Sequence, residues 1–194
     1  MALGRVAQRC RGRALGLFPS LDSHLPAAAV MLPLINTHRG GAGILLEVRA
    51  AGMRLHAGEI ALPGGRLEPA EESWQAARRE AEEEIGWPGG VLVDSLGEWH
   101  NRKSNMRVTP WLVIREPPLD LERELRICPS EVDHVFVADL SQLLNPQRKE
   151  YRHIRAGWPP VPFFRPDDQH VIWGFTGFVL DAFLAELAPA LGSR

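Results

Sequence analysis

The sequence predicts an α/β fold, a mixed sheet held between a helix on each face, and three observations predict it. Several short, branched-rich runs bounded by turn residues read as strands. A glutamate-rich segment reads as one amphipathic helix, and an apolar segment near the C-terminus reads as a second.

In chain order, "AAAVMLPLI" (27–35) and "GILLEVRA" (43–50) flank "NTHRGG", the pattern of two buried strands joined by a turn. "GMRLHAGEIALPGG" reads as a loop holding one short strand, and the glutamate-rich helix follows it. "VLVDSLGEWH" and "MRVTPWLVIR" form a strand pair around the polar turn "NRKSN", and "EVDHVFVADL" is a further strand. Residues 145–169 read as mostly loop, because their prolines forbid regular structure. The last helix covers 172–188, with Phe175, Val179, Phe183 and Leu187 at four-residue spacing.

The chain has 194 residues, 45% of them hydrophobic and 24% charged, which suffices for a single domain with its own core. A formal charge of −2 gives no global reason to bind nucleic acid or membrane. Two cysteines, Cys10 and Cys128, make no disulfide framework and fit a reducing compartment, the cytoplasm. The most apolar run, 171–180, is too short for a membrane span and ends at Asp181. Residues 1–20 read as a basic surface helix. Their Arg5, Arg9, Arg11 and Arg13, with no acid before Asp22, also give them the composition of an organelle transit peptide.

The stretch "GGRLEPAEESWQAARREAEEEIGW" (64–87) carries seven glutamates. Stepping roughly 100° per residue from Glu80 puts Glu83 at about 300° and Glu84 at about 40°, so three carboxylates share one fan. Trp74, Ala77, Ala81 and Ile85 fall on the core-facing stripe beside it. Pairs such as Arg78–Glu82 and Arg79–Glu83 contribute only a few tenths of a kcal/mol each, and crowded like charges repel. A hard divalent cation that takes oxygen ligands removes the repulsion.

From Gly65 onward, Gly65, Glu71, Arg79, Glu80, Glu83, Glu84 and Gly86 match the box G-x5-E-x7-R-E-U-x-E-E-x-G-U, where U is bulky and aliphatic. The chain thereby resembles the Nudix hydrolases, with mild departures at Ala81 and Trp87. The resemblance runs over residues 27–188 and implies an α/β/α sandwich and hydrolysis of a nucleotide-type diphosphate with Mg2+ or Mn2+. It implies metal ligation by Glu80, Glu83 and Glu84, leaving Glu71, Arg79 and Gly86 as structural members of the motif. Glu83, Glu84 and Glu131, the last ahead of the "VDHVFV" strand, are the candidates for the proton acceptor.

"LLEVRAAGMRLHAGEIALPGG" (45–65) further resembles the coenzyme A pyrophosphatase branch, LLTxR-S-x3-R-x3-G-x3-F-P-G-G, at Leu45, Leu46, Arg49, Arg54, Gly58, Pro63, Gly64 and Gly65. Glu47, Ala50 and Leu62 depart from its Thr, Ser and Phe. This likeness implies coenzyme A as substrate, cut to 3′,5′-ADP and 4′-phosphopantetheine. Arg49 and Arg54 are then candidates for phosphate contact, with Gly64 and Gly65 lining the site. The clusters Arg102-Lys103 and 148–155 are weaker candidates, and His56 and His170 read as structural or substrate-side residues rather than zinc ligands. Two other readings stay open: a pyrophosphatase for another nucleotide such as ADP-ribose or a nucleoside triphosphate, and a non-catalytic nucleotide-binding regulator. A nucleic-acid role would call for a basic stripe that the sequence lacks.

Overall fold

The computed structural model describes residues 24–37, 41–53 and 56–192. The helix expected over 1–20, Cys10 and Arg54 lie outside these residues. Among the described residues, ten strands, four helices and one 3-10 turn follow in order. The strands are β1 (Ala27–Asn36), β2 (Ala42–Arg49), β3 (Ile60–Ala61), β4 (Gly64–Arg66), β5 (Val91–Ser95), β6 (Trp99–Asn101), β7 (Met106–Arg115), β8 (Val132–Asp139), β9 (Lys149–Arg152) and β10 (Val161–Phe164). The helices are α1 (Ser73–Ile85), α2 (Leu121–Glu124), α3 (Leu140–Leu143) and α4 (Gly174–Gly192).

The main sheet runs β3-β2-β1-β7-β5, with β4 on β1, β6 on β7 and β8 on β2. β1 and β7 pair in parallel while the other pairings are antiparallel, so the sheet is mixed as expected. Alternation along the central strands feeds two cores. Ala29, Met31 and Leu45 meet Ala76, Ala77, Ala81 and Ile85 of α1 on one face. Leu32, Leu34, Ile44 and Leu46 meet Val179, Phe183 and Leu187 of α4 on the other. Strands buried on both faces lose the polar alternation of half-exposed ones, which is why 27–35 and 43–50 read as nearly continuous apolar runs.

Two expectations are corrected. Residues 145–169 are not simply loop: Pro146 opens a 3-10 turn (Pro146–Arg148), and β9 and β10 form an antiparallel ribbon with Tyr151 opposite Pro162. Both strands of a two-stranded ribbon are edges, where a proline's missing N–H is tolerated. Trp74, although in phase with the core stripe of α1, is not buried by it. It is 36% exposed, while Ala76 is fully buried. On the same roughly 100° wheel the buried arc therefore runs from about 320° to 140° and encloses Glu80 and Glu84.

Helix α1 stops where Gly86 turns left-handed (φ 63°, ψ 40°), its N–H donating to Glu82 O and that of Trp87 to Ala81 O. A Cβ at Gly86 would press on the Arg126 backbone nitrogen at 2.7 Å. Gly86→Ala is therefore expected to destabilise the fold by at least about 1 kcal/mol, from the left-handed penalty alone. A urea midpoint that falls while the slope stays constant checks this, and an unchanged midpoint refutes it.

Candidate active site

Three elements build the site: the inner face of α1, the Gly64-Gly65 backbone of β4, and the end of β2 with the turn leading into β8. Gly64 adopts φ 150°, and a Cβ there would overlap Ala29 O and Val30 Cα of β1. A Cβ at Gly65 would overlap the Glu80 carboxyl. Side chains are barred at both positions because strand, helix and carboxylate pack against bare backbone.

Arg79 organises one half. Its Nε and Nη2 donate to Glu71 at 2.9 and 3.1 Å, and its Nη1 donates to Glu80 at 3.0 Å and Glu83 at 3.1 Å. Its Nη2 also donates to Arg66 O at 3.0 Å, so all five guanidinium N–H groups have acceptors. One guanidinium thus ties three carboxylates together. Glu71 does not cap the helix dipole: it precedes the N-cap Glu72 and instead grips Arg79. The hydrogen bonds between them lower the Glu71 pKa and raise that of Arg79.

Arg49 organises the other half. Glu84, only 2% exposed, accepts from Gly64 N–H at 2.8 Å through one oxygen and from Arg49 Nη1 at 3.3 Å through the other. The same Nη1 donates to Glu47 at 3.2 Å. Arg49, expected to contact phosphate, thus lies between two buried carboxylates. Burial, with Glu80 and Glu131 adding repulsion, lifts the Glu84 pKa to about 7 against the pull of Gly64 N–H and Arg49. Burial and the Glu84 charge lift Glu47 to about 8. Glu80 is raised as well, chiefly by burial.

Glu131 sits in the turn before β8, where its carbonyl accepts Ala50 N–H at 2.8 Å and Val132 pairs with Arg49. Its charge reaches Glu47, Glu80 and Glu84 and raises the pKa of each. The structure therefore brings Glu131 into the electrostatic field of the α1 carboxylates from a distant part of the chain. Glu47 is the residue that sequence reasoning missed. The signal was present: Leu45, Glu47 and Arg49 alternate onto the α1 face of β2, and Glu47 is an acid inside an apolar run.

The remaining candidates lie apart. His56 Nδ1 contacts Glu59 at 2.6 Å, and Lys103 donates to the same carboxylate at 2.6 Å. Arg102 and Arg155 stack on Trp158, and Arg148 pairs with Asp168. His170 contacts Asp167 at 2.8 Å and stacks on Phe136. All have local partners other than the α1 glutamates.

Among the described residues, no three His, Cys, Asp or Glu side chains converge in metal-ligand geometry. The cause is visible: Glu80 and Glu83 turn to Arg79, and Glu84 turns to Gly64 and Arg49. The donor chemistry still fits a hard divalent cation. It is all carboxylate oxygen, and Glu80 and Glu84 are raised first by burial and then by neighbouring carboxylates, a combination that a cation relieves.

Comparison with known proteins agrees with this geometry. The chain matches the NUDIX domain over residues 24–170. It is 33% identical over 191 residues to a mouse protein named mitochondrial coenzyme A diphosphatase NUDT8, covering 94% of this chain and 88% of that one. It is 31% identical over 166 residues, 84% of its length, to a Schizosaccharomyces pombe protein named "Probable nudix hydrolase C6G9.05", and the match spans 56% of that protein. The fold resembles that of a MutT/nudix family protein from Enterococcus faecalis, with a TM-score of 0.56 at 14% identity over 90% of this chain and 70% of that one. By domain match, relatives and fold, the chain belongs to the Nudix hydrolase family.

Proposed function

We propose that the chain hydrolyses the diphosphate bond of coenzyme A and its derivatives, releasing 3′,5′-ADP and 4′-phosphopantetheine or its acyl form, with Mg2+ or Mn2+ as cofactor. The observation that carries this reading is the gathering of Glu80, Glu83, Glu84 and Glu131 beside the bare Gly64-Gly65 backbone. The resemblance of residues 45–65 to the coenzyme A branch and the name of the mouse relative support the substrate.

Glu80, Glu83 and Glu84 would hold the cations. Bound there, divalent cations neutralise the diphosphate oxygens and lower the pKa of water. Arg79 keeps Glu80 and Glu83 in register with each other. Gly64 N–H keeps one oxygen of Glu84 fixed. A water oxygen bonds to one phosphorus, the bridging P–O bond breaks, and the water proton passes to a carboxylate. Glu131 is our choice of acceptor, because it has no metal to hold, whereas Glu83 and Glu84, the alternatives, would each be a weaker base on a cation.

One observation favours a second reading, hydrolysis of another nucleotide diphosphate. Glu47 stands where the branch carries Thr, and it holds Arg49, a residue a phosphate would otherwise claim. We place the activity in the cytoplasm. The mouse relative is mitochondrial by name, and a fluorescent fusion of the full chain co-localising with mitochondria would overturn that placement.

A hydrolysis panel of coenzyme A, ADP-ribose, NADH and diadenosine polyphosphates with Mg2+ or Mn2+ is expected to show coenzyme A cleaved fastest. Rapid cleavage of another member with coenzyme A untouched overturns the substrate. Glu84→Gln is expected to lower kcat by about a hundredfold or more while stability holds, since the amide removes a charge that burial penalises. Wild-type turnover in that variant removes Glu84 from the mechanism.

The raised pKa values set a pH dependence. In the native state Glu84 and Glu47 keep protons that the unfolded chain releases near 4.5. The contribution of these two groups to stability is thus full below that pH and is lost as pH rises through about 7 and 8. In chelator the melting temperature is expected to fall between about pH 5 and about pH 8. Added Mn2+ should recover part of the loss at the upper limit. A pH-independent melting temperature contradicts the assignment.

A further inference from the structure

The orphan in the site is Glu47. It is fully buried on β2, one of its oxygens accepts from Arg49 at 3.2 Å, and the other, Oε2, has no hydrogen-bond partner. Buried acceptors are rarely left without a donor, because each one costs its full desolvation. The donor that could complete it is already beside it. Arg49 Nη1 is divided between Glu47 and Glu84, and Arg49 and Glu47 sit two residues apart on one face of a strand.

The division matters because Glu84 cannot serve two cations fully. A guanidinium held against one of its oxygens opposes a divalent ion at the same carboxylate. Gly64 N–H already occupies the other oxygen. If Arg49 is to leave Glu84, its charge must be received without leaving the buried site, since an unpaired buried charge is strongly unfavourable. Glu47 meets each requirement: it is within reach, it already accepts from Arg49 through one oxygen, and its other oxygen lacks a donor, so a guanidinium that turns fully onto it gains a bidentate pair.

We propose that Glu47 is a positioning residue that takes over Arg49 when Glu84 is given to a divalent cation. In the metal-free protein Arg49 bridges the two carboxylates. With a cation on Glu84, Arg49 withdraws onto both oxygens of Glu47. Glu47 touches neither substrate nor metal; it acts through Arg49. This inference rests on the metal role given above to Glu84.

The test reads Mn2+ binding directly, by the electron paramagnetic resonance signal of free Mn2+, without substrate. Wild-type protein should bind Mn2+, and Glu84→Gln should weaken that binding; failure of either overturns the metal role itself. Glu47→Gln and Glu47→Leu remove the anionic partner, so Arg49 stays on Glu84, and Mn2+ affinity is expected to fall about tenfold or more. The double variant Glu47→Gln/Arg49→Gln removes the competing guanidinium too, and its affinity should return to within about threefold of wild type. If wild type binds and Glu84→Gln does not, yet the Glu47 variants bind as wild type, Glu47 is not the receiver. A double variant that binds as poorly as Glu47→Gln rules it out equally. A merely structural role for Glu47 would lower the melting temperature in the double variant at least as far, with no recovery of affinity.

Discussion

Arg79 is the constraint on which the site depends. A guanidinium has five N–H groups in a fixed plane, and here all five are used, on Glu71, Glu80, Glu83 and the Arg66 carbonyl. Those acceptors belong to three pieces of chain: β4, the turn before α1, and α1 itself. The helix cannot roll about its axis without breaking the fork, so the fork also fixes the direction of Glu84, one turn on from Glu80. Lysine could supply the charge but not the plane.

Bare backbone completes the arrangement. Gly64 and Gly65 allow β4 to lie on β1 and against Glu80 at a separation that no Cβ would permit. The Gly64 N–H, freed from side-chain shielding, then reaches Glu84 at 2.8 Å. Burial follows from the same close packing. It raises Glu80 and Glu84 above ordinary carboxylate values. The compactness that defines the site is thus what makes it costly without a cation.

What the sequence made legible was local. Gly86 was readable as a motif glycine because helix, stop residue and turn are neighbours in the chain, and the pairing of Arg79 with Glu83 was readable because they lie one turn apart, whereas its bonds to Glu71 and the Arg66 carbonyl were not. The two helix-covered faces followed from strands too apolar to be exposed on either side, whereas the strand order is a matter of pairing between distant segments. Positions decided by other parts of the chain were not legible. Trp74 has the right helical phase for burial, yet it lies in the first turn of α1 and stays 36% exposed. The ribbon of β9 and β10 depends on a pairing across an intervening eight residues with two prolines, which composition disguises as loop. Glu47 stood in plain view as a departure from a motif, but its meaning appears only when Glu84 arrives from α1 beside Arg49.

Two arginines partition the acids of this site, and the partition explains how its charge is arranged. Arg79 serves Glu71, Glu80 and Glu83, which run from part-buried to exposed; Arg49 serves Glu47 and Glu84, in the interior. Adding Glu131 gives six carboxylates against two guanidiniums, although the whole chain carries a formal charge of only −2. The rest of the protein is therefore net positive, and the negative potential is concentrated at one place. Screening weakens such a field in bulk water over roughly 10 Å, but much less where carboxylates are buried. A small, doubly charged ion gains most from that concentration. A large anion such as a dinucleotide diphosphate gains nothing until cations have entered. On the proposed metal role, the electrostatics favour entry of a cation, free or carried by the diphosphate, over approach of the bare anion.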